Sequence, residues 1–467
     1  MRIVLKNFRL VDEETDTPGT VIIENGIISS VLPSSPRETA EDNAALTLDG
    51  SHLADNGLPV LMPAFVDLHA HFRDPGFPSK ETPALSEVLE SASLAAAAGG
   101  FATVVCMANT RPVTDTIKQA AAIKSRSDAL GLIDLYPVIS LTKGMEGKAL
   151  SEISVLNRTL NPLKSSDGNK SGLYIPLMLS EDGKDLANDA LFLAAMREAK
   201  RLGIPISCHC DFGGGEAEAA KKAGLPRSAW SRIEENNATR RVIELGKKTG
   251  CHIHIAHVST KEAVEIIRSA KTTLTADSSG NNGFTLTCEV MPHNLRLTEE
   301  TANKLGAESW GRVNPPLRHD DDREALIRAL ADGTIDAIAT DHAPHNNADK
   351  ESGAPGFSAF ETAFAAALTE LVRGAGSKLD LKRLSSLMSA NPARLVNLGD
   401  RGRLLPGMRA DLVIADTERA WFVDPETFKT RGKNSPFKGM ELFGKILMTI
   451  RGGRVVFDAG SRPSVLQ

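Results

Sequence analysis

Apolar residues in the middle of the chain, from about residue 61 to 400, form short compact runs separated by stretches with helical spacing. In 186–202, for example, Leu186, Ala190, Leu191, Leu193, Ala194 and Leu202 can share one broad face of a helix. The candidate strands are 61–68, 101–107, 133–140, 173–179, 204–209, 252–257, 284–291 and 335–340, of which the seventh is mixed in polarity. Eight largely apolar strands that alternate with helices predict a parallel sheet covered by helices, and therefore an α/β fold with a (β/α)₈ TIM-type barrel.

The two ends of the chain have a different pattern, typical of antiparallel strands. The apolar runs 21–23 and 27–28 flank Glu24-Asn25-Gly26, which has the composition of a hairpin turn. Similar runs return after about residue 402, at 411–415 and 445–450. We therefore expect residues 1–60 and 402–467 to pair into one small β-sandwich domain, with residues 61–401 forming the barrel.

Composition narrows the class of protein. A chain of 467 residues with 41% hydrophobic content is long enough to bury a large core without crosslinks. The formal net charge of −5 provides no basic excess to neutralise phosphates, so neither nucleic acid nor a membrane surface is an expected partner. A stretch of about 20 apolar residues, which a bilayer span needs, is absent from the sequence, and so is the apolar core of a secretory signal. The expected location is the cytoplasm.

The five cysteines are odd in number, and most lie inside apolar runs. We expect free, buried thiols in a reducing compartment. A soft-metal site at the C-x-C of Cys208 and Cys210 is the weaker alternative, because no C-x-x-C accompanies it.

Ligand-type side chains stand where the predicted strands end, which is where chemistry collects in a (β/α)₈ barrel. Imidazole and carboxylate groups together are suited to zinc or a similar divalent ion. The predicted metal ligands are His69, His71, Asp182, His209, His257 and Asp341. Glu181 is the alternative to Asp182 as the ligand after the fourth strand.

Strand alternation sharpens this prediction. His69 and His71 are two residues apart, so they project to the same side and can bind one ion. His252 and His254 fall on the opposite face from His257, and only one face can look into the barrel. We therefore expect His257 to be the ligand, and His252 and His254 to be ordinary polar residues that face the helix layer.

Arg73 follows the second of the paired histidines by two residues. Its planar guanidinium matches the geometry of a carboxylate, so it is a candidate for binding an acidic substrate. The alternative is a surface salt bridge between Arg73 and Asp74.

The motif F-V-D-L-H-A-H-F-R-D-P-G at 65–76 resembles the opening signature of the amidohydrolase superfamily, and its H-x-H-x-R-D-P-G form is similar to bacterial class I dihydroorotases. The resemblance runs from about residue 50 to 415. Further matching motifs occur in the family's order at 109–112, 182–183, 209, 257–260, 314–318, 339–345 and 361–364. One departure is Ala354-Pro355-Gly356-Phe357, where relatives often have Pro-Phe-Gly.

The resemblance implies two zinc ions per subunit. His69, His71 and Asp341 would hold one ion and His209 and His257 the other, with Asp182 as the bridge. Many relatives bridge with a carboxylated lysine instead. Here Lys184 lies two residues beyond Asp182 and is expected to be too far out, so the second ion is the less secure of the two.

The resemblance also implies the reaction: reversible hydrolysis of dihydroorotate to N-carbamoyl-L-aspartate, in pyrimidine (UMP) biosynthesis. Zinc lowers the pKa of a bound water from about 16 towards about 7, and Asp341 would be the catalytic group that takes the water's proton and passes it to the departing amide nitrogen. The substrate-binding residues implied are His71, Arg73, Asn109 and His345 near the carboxylate, and Asn314, Pro355 and Gly356 near the ring.

Two alternatives stay open at this point. A hydantoinase or allantoinase would share the metals and the fold, but its ring carries no carboxylate for Arg73. A non-catalytic paralogue acting as a scaffold would be marked by lost metal ligands, whereas all six are present. A homodimer, and an association with another enzyme of the pyrimidine pathway, are expected partners besides the small-molecule substrate.

Overall fold

The computed structural model describes residues 1–33, 46–54, 56–76, 87–156, 174–276, 282–374 and 379–460. The strands in these residues are β1 (Arg2–Val11), β2 (Asp16–Glu24), β3 (Ile27–Pro33), β4 (Leu46–Asp49), β5 (Val60–Pro63), β6 (Phe65–Ala70), β7 (Phe101–Cys106), β8 (Asp134–Pro137), β9 (Leu179–Ser180), β10 (Ile206–Cys208), β11 (His252–Ile255), β12 (Thr285–Val290), β13 (Ala337–Ile338), β14 (Leu412–Phe422), β15 (Glu441–Arg451) and β16 (Arg454–Asp458). The α-helices are α1 (Leu89–Ala98), α2 (Ile117–Leu130), α3 (Asp189–Leu202), α4 (Gly214–Lys222), α5 (Arg227–Thr249), α6 (Lys261–Ala276), α7 (Pro292–Arg296), α8 (Glu299–Leu305), α9 (Asp320–Asp332), α10 (Asn347–Glu351), α11 (Phe360–Leu371), α12 (Leu381–Ser385) and α13 (Asn391–Leu395).

Strands β6 to β13 form the predicted barrel. Hydrogen bonding gives two parallel blocks, β6-β7-β8 and β9-β10-β11-β12-β13. Two parallel bridges, Ile139 with Leu179 and Ala70 with His342, join the blocks at both edges and close the ring. The predicted (β/α)₈ architecture is confirmed, and the carboxyl ends of all eight strands meet at one rim.

The strand predicted at 61–68 is in fact two strands. β5 pairs with β1 and β14 outside the barrel, whereas β6 pairs with β7 inside it. The chain passes from one sheet to the other at Ala64, whose amide donates to the carbonyl of Asp411. Both strands are fully buried, so the run of apolar residues contains no signal of where the sheet changes.

Strands from both ends of the chain form a second sheet, in the order β16-β15-β14-β5-β1-β2-β3, with β4 beside β1. The predicted hairpin is confirmed: Asn25 and Gly26 connect β2 to β3 with positive φ angles of 52° and 82°. Leu5, Phe8 and Leu412 lie in the apolar core of this β-rich terminal unit. The domain limits at 60/61 and 401/402 remain predictions.

The helix predicted at 186–202 begins three residues later than expected. Asn188 caps α3, because its side chain accepts a hydrogen bond from the amide of Leu191 at 3.1 Å. The buried face also differs from the predicted one. Because alanines occur on several sides of the helix, the apolar pattern did not specify which side is buried. The buried residues are Phe192, Ala195, Met196, Ala199 and Leu202.

The five cysteines are buried free thiols, as expected. Among the described residues, no helix combines the length and the apolar character that crossing a membrane requires.

Candidate metal centre

The six predicted ligands gather at the carboxyl-terminal rim of the barrel. Each comes from the end of a different strand or from the residues directly after it, except that β6 and the residue following it provide both His69 and His71. Their side chains are buried or nearly so. The barrel therefore brings together residues that are up to 272 positions apart, as the strand-end argument predicted.

Two groups of ligand atoms share one carboxylate. His69, His71 and Asp182 form the first group, and Asp182, His209 and His257 form the second, with the ligand atoms of each group within 4.8 Å of one another. Asp182 Oδ1 lies 3.2 Å from His69 Nε2 and 3.3 Å from His209 Nδ1. This arrangement is that of a carboxylate between two adjacent cation positions.

Asp341 completes the first group from the other side. Its Oδ1 lies 3.1 Å from His71 Nε2 and 3.8 Å from His69 Nε2. Asp341 has a positive φ of 48°, and His257 one of 35°. Non-glycine residues in this region are uncommon and concentrate at functional sites.

The donor set fits a divalent cation. His69 Nε2 and Asp182 Oδ1 are buried without a hydrogen bond, which is costly unless another group satisfies them. Burial lowers the pKa of His69, but the nearby carboxylates, Asp182 first, outweigh it and raise that pKa well above its usual value. Burial, followed by the neighbouring His209 and His69, lowers the pKa of His257 to about 3, so its ring nitrogen stays unprotonated. The carboxylates thus stabilise a positive charge at the cluster, and the neutral imidazole of His257 offers a lone pair. A bound divalent metal ion needs both.

The predicted direction of His252 and His254 is wrong, although neither belongs to the two groups of ligand atoms. Both side chains contact Thr287 Oγ1, at 2.8 and 2.9 Å, and His254 Nε2 also lies 3.0 Å from Glu289 Oε2. These histidines face the barrel interior, and it is Ile253 that packs with the apolar residues of the outer helices. Alternation holds only within a strand, and β11 ends at Ile255, so His257 turns inward through its own irregular backbone.

Glu289 is a site residue that the sequence reasoning missed. It is fully buried, and its Oε1 lies 2.9 Å from His69 Nδ1. A carboxylate at this nitrogen holds the imidazole so that the opposite nitrogen, Nε2, faces the cluster. The available signal was a glutamate inside the predicted strand 284–291.

The choice between Glu181 and Asp182 is decided by their partners. Glu181 accepts hydrogen bonds from the amide of Thr142, at 3.0 Å, and from its hydroxyl. Glu181 therefore secures a neighbouring loop, and Asp182 is the carboxylate that faces the histidines. Lys184 is exposed, as expected for a residue that takes no part in the cluster.

A cavity of about 140 Å³ opens beside the cluster. Every predicted substrate-binding residue lines it: His71, Arg73, Asn109, Asn314, His345, Pro355 and Gly356.

Arg73 forms one wall of this cavity. It is only 5% exposed, its Nε donates to the carbonyl of Pro344 at 3.4 Å, and its Nη2 lies 3.3 Å from His345 Nε2. Asp74 instead accepts a hydrogen bond from Arg126 at 2.6 Å. The alternative of a surface salt bridge does not describe Arg73. Burial lowers the pKa of Arg73 to about 10, so the guanidinium remains charged at neutral pH.

The two predicted asparagines contact histidines of the cluster directly. Asn109 Oδ1 lies 2.9 Å from His71 Nδ1. Asn314 Nδ2 lies 3.1 Å from His209 Nε2, while its Oδ1 accepts a hydrogen bond from Arg227 at 2.8 Å. Arg227 was not predicted from the sequence, and it orients the Asn314 amide so that its nitrogen points into the site.

Position 356 has room only for glycine. Its φ is 114°, and a Cβ atom there would lie 2.5 Å from the Cβ of Ala343. The backbone of 355–356 can therefore form a wall of the cavity only with glycine at this position.

Comparisons with known proteins agree with this geometry. Residues 60–456 match the model of the Amidohydrolase family. A dihydroorotase of Clostridium botulinum (strain Eklund 17B / Type B) is 36% identical over 457 residues, covering 98% of this chain and all of that protein. A dihydroorotase of Syntrophus aciditrophicus (strain SB) is 35% identical over 471 residues, covering 98% of this chain and all of that protein.

Solved structures share the fold. An L-hydantoinase (dihydropyrimidinase) from Arthrobacter aurescens matches with a TM-score of 0.79 at 25% identity, covering 98% of this chain and 96% of that chain. A dihydropyrimidinase from Brevibacillus agri NCHU1002 matches with a TM-score of 0.74 at 21% identity, covering 98% and 95%. The resemblance drawn from the motifs is thus confirmed over nearly the full length. The chain belongs to the amidohydrolase family and, within it, to the dihydroorotases.

Proposed function

We propose that this chain catalyses the reversible hydrolysis of dihydroorotate to N-carbamoyl-L-aspartate in pyrimidine biosynthesis, at the cavity beside the metal centre. The observation that carries the proposal is the position of Arg73: a buried permanent cation in the same cavity as the two ligand groups. The substrate has a ring amide to be cleaved and a carboxylate to be bound, and this site offers a group for each.

We further propose zinc as the metal, with two ions. His69, His71 and Asp341 would hold the first and His209 and His257 the second, with Asp182 bridging. Support comes from the nitrogen and oxygen donors and from the shared carboxylate. When bound, zinc makes a water molecule acidic enough to react near neutral pH and polarises the amide carbonyl.

Asp341 is the proposed acid–base group. Burial favours its neutral form, but the hydrogen bond from His71 and the charge of His69 hold the pKa of this carboxyl well below its usual value. Asp341 is therefore a carboxylate before the reaction and can accept a proton at one of its oxygens. It then returns that proton to the ring nitrogen as the amide opens, and the steps reverse when the ring closes.

Substrate binding is assigned to two sides of the cavity. Arg73, together with Asn109 and His345, would bind the carboxylate, because a guanidinium offers two parallel donors. Asn314 and the backbone of 355–356 would contact the ring. His71, which lies between Asn109 and Asp341, would adjoin both the first metal and the substrate.

The rival functions are weaker. Hydantoinases are similar in fold, but their rings lack the carboxylate that would explain a buried Arg73. A scaffold without catalysis would not need six ligand side chains gathered in one pocket. The homodimer, the association with another enzyme of the pathway and the cytoplasmic location stay predictions.

One experiment tests the assignment. The purified chain is analysed for bound metal, and turnover of dihydroorotate is followed by loss of its absorbance, beside matched assays with hydantoin and allantoin. We expect zinc to be bound and dihydroorotate to be the preferred substrate. Turnover of hydantoin or allantoin without turnover of dihydroorotate would reject the proposed substrate, and absence of turnover with all three would favour the scaffold.

A further inference from the structure

Lys350 is a buried charged residue that the proposed reaction does not use. It lies in the short helix α10 and has no exposed surface. Its Nζ lies 3.0 Å from the carbonyl oxygen of Arg312, 3.0 Å from that of Ala354 and 2.9 Å from that of Gly356. An ammonium group has three N–H donors, and here each has a backbone carbonyl to bind.

The three carbonyls belong to two segments that line the cavity. Arg312 precedes Asn314 by two residues, and Ala354 and Gly356 flank Pro355. The same Arg312 carbonyl also accepts a hydrogen bond from the amide of Gly356, at 3.0 Å. Lys350 therefore joins the segment that presents Asn314 to the neighbouring segment, whose backbone forms part of the cavity wall.

Lys350 itself is not among the residues that line the cavity. It can affect a bound ring only through the segments it holds, which makes it a positioning residue. Burial, and then the charge of Arg312, lower the pKa of Lys350 to about 7, so the ammonium form, which has all three N–H donors, predominates below neutral pH. A lysine here satisfies carbonyl oxygens: without it, those of Ala354 and Gly356 would lose the donor that Nζ provides.

We propose that Lys350 sets the substrate affinity of the site by locking segment 312–314 to segment 354–356 through its three backbone hydrogen bonds. The inference rests on the proposed function, since it assumes that the ring contacts these two segments. It assigns to a residue outside the cavity the relative position of the two segments that would contact the ring.

The main test is Lys350→Met, which keeps the length of the side chain and removes all three donors. We expect the KM for dihydroorotate to rise by about tenfold or more, with bound metal unchanged and kcat altered by much less. Hydrogen exchange in a peptide spanning 352–358 should be faster, because the Gly356 amide is no longer held against Arg312.

The matched control is Lys271→Met. Lys271 also donates to a backbone carbonyl, that of Thr334 at 2.8 Å, and to Asp336 at 2.6 Å, but it does so before β13, at the opposite end of the barrel. We expect this variant to lose stability without a change in KM or in exchange at 352–358. Equal effects of the two variants on KM would show a general loss of stability and overturn the proposal.

A second variant keeps the proposal testable if Lys350→Met does not fold. Lys350→Gln retains an amide donor group with two N–H bonds, so its KM should lie between those of the parent and the methionine variant. A parent-like KM with parent-like exchange in either folded variant would reject the role of Lys350. A parent that does not turn over dihydroorotate would instead reject the proposed function, and the exchange measurement, which needs no substrate, would still decide whether Lys350 joins the two segments.

Discussion

Two buried aspartates at opposite ends of the barrel have contrasting surroundings. Asp134 begins β8, at the amino-terminal end, and Arg401, Arg409 and Arg451 all donate to its carboxylate. These three arginines come from the carboxyl-terminal part of the chain, so the ion cluster attaches the terminal sheet to the barrel. Asp182 follows β9, at the other end, and has no arginine among its ion-pair partners in the described residues.

Histidines take the place of arginines around Asp182. His69, His71 and His209 have ring nitrogens within 3.4 Å of its carboxylate. Arginine cannot lose its proton at physiological pH, whereas neutral histidine offers a lone pair. A buried carboxylate surrounded by arginines, which stay charged, can therefore only form stabilising ion pairs. A buried carboxylate surrounded by histidines, which can lose a proton, is suited to metal binding.

The largest expected effect on activity is that of replacing Asp182, at the carboxyl-terminal rim of the barrel. Asp182→Asn removes the shared anionic ligand, so we expect bound metal to fall and turnover of dihydroorotate to drop by about 10³-fold or more. Metal analysis and kcat/KM measure the two effects. Glu181→Gln is the matched control, since it changes the adjacent buried carboxylate, which bonds to Thr142, and should retain its metal. Full metal content in Asp182→Asn would contradict a metal-binding role for Asp182.

The corresponding change at the other end should affect stability alone. Asp134→Asn leaves three arginines without their shared counter-ion, and breaking a buried ion cluster in this way costs about 3–5 kcal/mol. We expect a lower midpoint of urea unfolding, with bound metal and KM unchanged in the protein that remains folded. A loss of metal from Asp134→Asn would show that the ion cluster at the amino-terminal end affects the metal site at the other end. The two aspartates would then not have separate roles.

Arg73 is also a permanent cation, but it lies in the cavity at the carboxyl-terminal rim. Its substitution tests whether it binds substrate, in contrast to the structural role of the arginines around Asp134. Arg73→Ala should raise the KM for dihydroorotate by about 10- to 100-fold, as expected for the loss of a charge-assisted hydrogen bond to a carboxylate. Metal content should not change. Arg126→Ala, which removes the arginine paired with Asp74, is the control and should leave KM unaltered. Parent-like kinetics of Arg73→Ala would make Arg73 a structural residue.

The smallest effect is expected at a half-buried carboxylate, Glu361, whose hydrogen bonds come from the backbone amides of Lys429 and Thr430 at 2.6 and 3.4 Å. Burial raises the pKa of Glu361 from 4.5 to about 7. Between these pH values the folded state binds more protons than the unfolded state, so stability falls as pH rises.

Glu361→Gln should remove this dependence, which amounts to about 1–3 kcal/mol over the window. The measurement is the free energy of unfolding of both proteins at pH 4.5, 5.5, 6.5 and 7.5. Parallel pH profiles for the parent and the variant would show that Glu361 does not titrate in this range.

The hydrophobic pattern was enough to predict the number and order of the barrel strands and the six residues that cluster at the rim. Apolar runs report burial, and the parallel arrangement of eight such runs places all their carboxyl ends together, so the positions of His69, His209 and Asp341 followed from local pattern. The motifs around these residues added the substrate class.

The contacts between side chains within this framework could be read only from the three-dimensional structure. The roles of Glu181 and Asp182 depend on Thr142, the direction of His257 depends on where β11 ends, and the contacts of Lys350 depend on two segments distant from each other in the sequence. The physical reason is that hydrogen bonds and ion pairs between distant segments are set by packing in three dimensions, whereas hydrophobic periodicity records only whether each position is buried.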